Sequence, residues 1–250
     1  MKKSFLSSYF FLIFIFTMIF SSVIFGQGNE KDLVSVATFV SGDVTFKHAG
    51  KQEKVKINTV FGKEDEVITK AGKVDIQVGP NAVLRLNNFT TLKFKELYEI
   101  GDAQKIKLSV NSGNVYTKII KKLTKNSEFS VDNENSVAGV RGTEFLISET
   151  KDMKKKYEDS DVDPGIYVND GSVEAENRQN PGQKESLSAG QEVVTKGGEF
   201  KKGILQEHIK QKMEIFKTLD VMKEENYKIL KEQSKRTRSM MDDIIKGKNN

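Results

Sequence analysis

One ten-residue stretch decides the fold class of this 250-residue chain: Ser136-Val137-Ala138-Gly139-Val140-Arg141-Gly142-Thr143-Glu144-Phe145. Two glycines bracket a valine and an arginine, and apolar residues recur at every second or third position around them. Glycine inside a strand commonly marks a bulge or a close approach of two backbones. An arginine held there can direct five N–H donors at carbonyl or carboxylate oxygens. The pattern predicts strands in which Arg141 is a structural clamp, with an anion or partner site as the alternative.

Alternation of apolar and polar residues extends outward from this stretch over residues 34–200. β-branched and aromatic residues fill the apolar positions, and Gly, Asn, Asp and Ser separate the runs, which is typical of an all-β domain with tight turns. A glycine followed by a polar residue and a valine recurs at Gly42, Gly113 and Gly171. This recurrence predicts stacked hairpins or a short β-helix-like coil. The predicted strands are short: Val34–Val40, Val44–Phe46, Val74–Val78, Val83–Leu86, Leu92–Phe94, Ile106–Val110, Phe129–Val131 and Phe145–Ile147.

Composition limits the chemistry that the chain can perform. Hydrophobic residues make up 37% of the sequence, which is enough for a core, and there is no cysteine, which excludes disulfides, thiolate catalysis and cysteine-bound metals. Only two histidines occur, His48 and His208, far apart in the sequence. We therefore predict a protein that is not an enzyme and uses no cofactor or metal.

The net positive charge of the chain comes from its two ends. The net charge is +5, yet residues 29–200 carry 25 Lys and Arg against 27 Asp and Glu, whereas residues 201–250 carry 13 against 8. Nucleic-acid binding needs a basic face on the folded body. The near-neutral body therefore predicts no nucleic-acid partner.

The N-terminal residues 1–28 have the pattern of a signal peptide. Lys2 and Lys3 precede a long uncharged, apolar run, and small residues follow at Ser21, Ser22 and Gly26. An uncleaved membrane anchor is the alternative, since about 20 apolar residues span a bilayer. In both cases positive residues stay inside, so the rest of the chain is predicted to be periplasmic, with membrane contact only through an uncleaved segment.

Residues 204–245 contain neither glycine nor proline and predict one long, charged amphipathic helix, followed by a disordered tail at 246–250. Mixed charges on its polar side favour a coiled coil or partner helix over a membrane-surface helix. An exposed apolar stripe is costly in water, so the β body, a second copy or another protein should cover it. We predict contact outside the domain, by self-association or with a protein partner. The contact stripe is Leu205, Ile209, Met213, Phe216 and Leu219.

In order and spacing, these elements resemble the FecR domain family over about residues 35–195. The resemblance is carried by Ser41-Gly42-Asp43-Val44, Ser112-Gly113-Asn114-Val115, the Val-Arg-Gly-Thr-x-Phe core within 136–145, Asn169-Asp170-Gly171-Ser172-Val173 and Leu187-Ser188-Ala189-Gly190. It implies an extracytoplasmic all-β domain, known best from iron-uptake signalling proteins that pass a receptor signal to an anti-sigma segment. Here three residues precede the apolar stretch, where signalling members carry that segment, and a charged helix follows the domain. We therefore expect no direct sigma-factor control by this chain.

The sequence thus predicts a mainly β fold: a short-stranded β-sandwich or β-helix-like FecR domain at 34–200, followed by a long C-terminal helix. The predicted function is a non-enzymatic periplasmic adaptor that contacts proteins or an envelope polymer. Two alternatives remain: a sensory subunit of a FecR-type pathway with a separate anti-sigma partner, and a carbohydrate-active enzyme. The candidate site residues, structural or partner-binding, are Gly139, Val140, Arg141, Gly142, Thr143 and Phe145.

Overall fold

The computed structural model describes residues 30–120, 123–140, 142–149, 159–219 and 224–247, and residues 31–250 form one compact unit. The mainly β prediction is confirmed: the described residues form sixteen strands, two α-helices and a 3-10 helix. The strands are β1 Glu30–Asp32, β2 Ser35–His48, β3 Lys51–Lys54, β4 Val60–Phe61, β5 Glu66–Val78, β6 Ala82–Leu86, β7 Thr91–Ile100, β8 Ala103–Ile119, β9 Glu128–Asp132, β10 Ser136–Val140, β11 Glu144–Glu149, β12 Gly165–Asp170, β13 Ser172–Asn177, β14 Lys184–Ser188, β15 Gln191–Lys196 and β16 Glu199–Ile204. The helices are α1 Glu207–Met213, the 3-10 helix Glu214–Thr218 and α2 Glu224–Gly247.

Several strands are longer than predicted, because glycines bend them without ending them. β2 has 14 residues and joins the predicted segments Val34–Val40 and Val44–Phe46. β8 has 17 residues and continues through Gly113, beyond the predicted segment Ile106–Val110. Gly42 has φ 73° and Gly113 has φ 83°, a conformation that side chains other than glycine rarely adopt. At Gly42 an added Cβ would lie 2.2 Å from the carbonyl oxygen of Ala71. The strand therefore turns a corner at each glycine and continues in the sheet.

The bend at Gly113 divides β8 between two sections of one continuous sheet. Before the bend, β8 pairs with β7 and, in parallel, with β9; after it, β8 pairs with β6 and β11. We call β6, the second half of β8, β11, β12 and β15 the helix-covered sheet. We call β7, the first half of β8, β9, β10, β13 and β14 the cleft-bearing sheet. Inward side chains of both sections share one hydrophobic core, among them Leu84, Val115, Phe145, Ile166 and Val193 from the first and Leu108, Phe129, Ala138, Val173 and Leu187 from the second.

The helix-covered sheet is apolar on its outer face as well. Successive residues of its strands point to opposite faces, and the outward ones form a second buried cluster with the C-terminal segment. The ring of Tyr116 meets that of Phe216 edge-on, with centroids 5.9 Å apart. The cluster joins Val83, Tyr116, Leu146, Val162, Tyr167 and Val194 to Leu205, Ile209, Met213, Phe216 and Leu219.

The prediction that this stripe serves self-association or a protein partner is therefore wrong. All five stripe residues are buried within the chain's own fold. The physical reason is the apolar outer face of the sheet, which needs a cover as much as the helix does. The C-terminal segment is the third layer of the fold.

The prediction of one continuous helix over 204–245 is also wrong. β16 continues to Ile204, α1 is seven residues long, and Leu219 after the 3-10 helix has an extended backbone, φ −82° and ψ 105°. The Lys118 ammonium donates to the carbonyl oxygen of Phe216 at 2.8 Å, near the end of the 3-10 helix. A straight helix of some 40 residues would run about 60 Å and leave the sheet. Breaking the helix keeps the apolar side chains on the sheet.

The second helix, α2, begins against the β body. Tyr227 is buried and its hydroxyl donates to the carbonyl oxygen of Val34 at 3.1 Å, while Lys231 pairs with Glu99 at 3.0 Å. Burial raises the pKa of Tyr227 to about 12. In the part of the chain that the structure describes, no helix combines the length and the apolarity needed to span a membrane. The predicted signal peptide, residues 1–28, lies outside the described residues, as do 248–250 of the predicted tail.

Candidate functional site

The register of the cleft-bearing sheet aligns four residues in one row across its strands. Lys107 of β8 lies opposite Ser130 of β9, Ser130 opposite Gly139 of β10, and Gly139 opposite Glu174 of β13. Their sequence neighbours point inward to the core, so this row is on the outer face. Neighbouring strands are about 4.8 Å apart, which places the Cα atoms of the two end residues roughly 14 Å from each other. We call these four residues the Lys107–Glu174 row.

Two adjoining clefts open on this face, and Lys107 lines both. The first has a volume of about 340 Å³ and the second about 270 Å³. The first is lined by Lys95, Glu96, Lys107, Ser109, Asp132 and Arg178. The second is lined by Lys107, Glu128, Phe129, Ser130, Val137, Gly139, Glu174, Ala175, Glu176 and Lys184. The first lining is mainly polar, whereas the second combines charged and hydroxyl groups with apolar surface from Phe129, Val137 and Ala175.

Most charges that line or border the second cleft neutralise one another, but those at the ends of the row do not. The ion pairs are Lys105 with Glu128 at 2.7 Å, Glu176 with Lys184 at 3.3 Å and Asp132 with Arg178 at 2.6 Å. Within the described ranges, Lys107 and Glu174 have neither an ion pair nor a side-chain hydrogen bond. Glu96 lies opposite Lys107 across β7 and β8 without forming an ion pair. The row therefore presents one ammonium and one carboxylate to solvent.

The first cleft contains a buried carboxylate that sequence reasoning missed. The side chain of Asp132 is 4% exposed; its Oδ2 accepts from Nη2 of Arg178, which also donates through Nη1 to the carbonyl oxygen of Asn133 at 3.1 Å. Among the described residues nothing hydrogen-bonds to Asp132 Oδ1. Arg178 follows β13 by one residue, and the registers of β9 with β10 and of β10 with β13 bring it to Asp132. No local signal in the sequence marks this pair.

Gly139 belongs to the predicted motif and lies in the middle of the row. It is not among the glycines with positive φ, and an added Cβ would meet only the carbonyl oxygen of Glu174 at 3.8 Å, an ordinary contact. Neither backbone conformation nor crowding therefore requires glycine here. Its missing side chain leaves room in the second cleft.

The other described residues of the motif are structural in their contacts. The Thr143 hydroxyl donates to the carbonyl oxygen of Ser172 at 2.8 Å, and Gly142, φ 72°, lies against Gly171. Val140 and Phe145 are buried in the core. Arg141 lies outside the described residues, so its role as a clamp stays a prediction.

The loop with Asp159, Asp161 and Asp163 is tied to α1. The ammonium of Lys212 lies 3.1 Å from Asp159 Oδ1 and 3.0 Å from Asp161 Oδ1, and Asp159 is 2% exposed. Partial burial lowers the pKa of Lys212, but the two carboxylates more than offset this and raise it overall. Asp159 is thus buried against a lysine that is distant in sequence, although its neighbours in the chain are mostly charged.

Comparison with known proteins identifies the family of the central segment. The model of the family described as FecR protein matches residues 65–174, a little under half of the chain. This segment includes the corner at Gly113, the predicted motif and the Lys107–Glu174 row. The FecR resemblance, predicted for about residues 35–195, is confirmed over residues 65–174.

Solved structures give a weaker likeness. Two crystal structures of a candidate anti-sigma factor from Parabacteroides distasonis are similar at 15% and 14% identity, each with a TM-score of 0.43. Each match covers 56% of this chain and 59% of the other chain. The comparison with curated proteins returned no significant match.

Proposed function

We propose that this chain is an exported, non-enzymatic FecR-type adaptor that holds a protein partner on the outer face of the cleft-bearing sheet. One observation carries the proposal. The chain's own C-terminal segment fills the apolar outer face of the helix-covered sheet. The cleft-bearing sheet instead keeps two clefts lined partly by charged side chains, among them Lys107 and Glu174, which form no ion pair within the described residues.

The sequence supports the export and binding parts of this proposal. The Lys2-Lys3 start and the following apolar run are typical of an export signal, and the FecR match is to a family whose best-known members act outside the cytoplasm. With two widely separated histidines and no cysteine, the chain has few groups for nucleophilic or acid–base catalysis. The charged, hydroxyl and apolar side chains that line the clefts are sufficient for binding a partner without catalysis.

The proposal is tested by photo-crosslinking in intact cell envelopes. A photoreactive amino acid replaces Val137, which lines the second cleft, or Lys201, which is exposed on β16 and lines neither cleft. We expect a discrete protein adduct from position 137 and none from 201. An adduct with saccharide would overturn the protein partner in favour of an envelope polymer, and an adduct from 201 alone would move the interface to the β15–β16 hairpin.

A pair of glycine substitutions separates binding from folding. Gly139→Ala fills part of the second cleft, and Gly203→Ala is its matched control, since Gly203 is also a strand glycine without positive φ whose Cβ would meet only Glu192, at 3.6 Å. Replacing a strand glycine by alanine stabilises by roughly 0.5–1 kcal/mol, so neither variant should melt earlier than the wild type. We expect Gly139→Ala to reduce the position-137 adduct severalfold and Gly203→Ala to leave it unchanged. Equal adduct yields from both variants would contradict the proposal.

A second function, favoured by the FecR match, is a sensory subunit that acts with a separate anti-sigma partner. In that case the adduct from position 137 should contain a membrane protein with a cytoplasmic anti-sigma segment, and deletion of the gene should change transcription by the corresponding sigma factor. A partner without such a segment, together with unchanged transcription, would favour the adaptor.

A further inference from the structure

Resting on that proposed function, we infer that the Lys107–Glu174 row recognises a dipolar, extended peptide segment of the partner. An acidic side chain of the segment pairs with Lys107, and a basic side chain four residues away pairs with Glu174.

The charge pattern of the face carries the first step. Three ion pairs on this face, Lys105–Glu128, Glu176–Lys184 and Asp132–Arg178, leave their charges satisfied within the sheet. Lys107 is half-buried, and among the described residues no ion pair or hydrogen bond satisfies its ammonium. An anion that approaches Lys107 therefore meets an ammonium that no carboxylate of the described residues pairs with, and the two attract each other as an exposed ion pair does. Glu174 offers the opposite charge at the other end of the same row.

The residues between the two charges carry the second step. Ser130 has a small side chain and Gly139 has none, so a peptide backbone can approach the sheet closely along the row. Val137, half-buried beside them, adds an apolar contact. An extended chain advances about 3.3–3.6 Å per residue, so a span of roughly 14 Å corresponds to about four residues. A segment with opposite charges at positions i and i+4 therefore matches the row.

Three blocked pentapeptides test this chemistry: acetyl-Lys-Gly-Gly-Gly-Glu-amide, its doubly basic Lys/Lys analogue and its doubly acidic Glu/Glu analogue. Each is titrated into the isotope-labelled protein, and Kd is followed by amide chemical shifts. An exposed ion pair contributes up to about 1 kcal/mol, so the wild type should bind the dipolar peptide about three- to fivefold more tightly than either analogue at low salt. Amides of Ser130 and Gly139 should shift most.

Charge reversals should then change the preferred peptide. Lys107→Glu should favour the doubly basic peptide and Glu174→Lys the doubly acidic one, while the double exchange restores preference for the dipolar peptide. Lys201→Glu is the control, since Lys201 is exposed on β16 and lines neither cleft, and it should leave the preference unchanged.

Several outcomes would overturn the inference. The first is that the dipolar peptide does not bind at millimolar concentration. The second is that the wild type prefers the doubly acidic peptide and Glu174→Lys does not alter this preference. The third is that all three peptides bind with equal affinity. If one of these occurs while the position-137 adduct forms, the peptide chemistry is wrong and the proposed function stands. If peptide preference follows the charge exchanges but no adduct forms in envelopes, the row binds peptides and the proposed adaptor function is wrong.

Discussion

Lys212 illustrates how one residue can join two distant parts of the chain. Its ammonium pairs with the buried carboxylate of Asp159 and with Asp161, and so fixes α1 to the loop before β12. Lys212→Met removes this cation from a carboxylate that also accepts hydrogen bonds from Asn87 and Tyr116. A buried carboxylate that loses its cation costs on the order of 1–3 kcal/mol or more. We expect that loss in the free energy of unfolding, measured with urea at pH 7.

The pH dependence of this difference distinguishes a charge effect from a packing effect. The pKa of Lys212 is raised in the folded protein above its ordinary value of 10.5. A raised pKa means that the stabilisation is complete below the unfolded pKa and is lost as pH rises through the folded pKa. The gap between wild type and Lys212→Met should therefore be constant from pH 7 to about 10 and shrink above that. Lys210→Met, which removes an exposed pair with Glu207, is the control; an equal loss in both variants would contradict the buried pair.

For single residues, the sequence predicts roles that depend on adjacent residues, such as glycine turns. It misses contacts between residues that are distant in sequence. The glycines at 42, 113 and 171 were recognisable because turn geometry is local, and each has positive φ. The pairs Asp132–Arg178 and Asp159–Lys212 join residues far apart in the chain, which only the sheet register brings together. The row itself alternates with core residues, yet its alignment needs the pairing of four strands.

Among the elements, the segment of α1 and the 3-10 helix stabilises the fold by covering the outer face of the helix-covered sheet. Phe216 is 2% exposed and its ring packs on Tyr116. Truncating a buried Phe to Ala typically costs 3–5 kcal/mol. We expect Phe216→Ala to lower the melting temperature by many degrees, measured by circular dichroism.

The control for this prediction lies on the second helix. Ile229 of α2 is 53% exposed, so Ile229→Ala should leave the melting temperature within about a degree or two of wild type. If Phe216→Ala melted like the wild type and instead lost a binding partner, the C-terminal segment would be a docking element and not a layer of the core.

Apolar periodicity predicted that the C-terminal segment has an apolar side, but neither the helix bounds nor what covers that side. The five stripe residues do pack together on the sheet, although only Ile209 and Met213 belong to α1 and Phe216 to the 3-10 helix. The C-terminal segment packs against Val83, Leu146 and Val194 of the sheet. These residues lie in strands that are buried on both faces, and such strands show no polar side in the sequence from which the outer face could be recognised. The helix break has the same origin, since contact with the sheet outweighs helix propensity.

At the scale of the whole molecule, two buried clusters arrange the fold in three layers, and the segment that matches the FecR family, residues 65–174, contributes strands to both sheet sections. One outer face is sealed by the C-terminal segment and the other carries the clefts. Length, composition and alternation were enough to predict a mainly β body. They could not show which face remains available, because that depends on how the C-terminal segment returns to the sheet.

An exported protein must keep its core intact when the signal peptide is removed. The first core residues are Leu33 and Val34, and Val34 accepts the hydrogen bond from Tyr227. Cleavage between residues 22 and 30 therefore removes none of the described buried side chains. We expect N-terminal sequencing of the native protein to find a first residue within 22–30 and the protein in the periplasmic fraction.

A charge variant tests whether the positive N-terminus is needed for export. Replacing Lys2 and Lys3 by Glu should slow processing and leave precursor, because the positive start directs the apolar run into the export machinery. Lys47→Glu, on the surface of the folded unit, should have no such effect. An intact Met1 in the membrane fraction of the wild type would instead establish an anchored protein, and unprocessed wild-type protein in the cytoplasm would contradict export and with it the adaptor function.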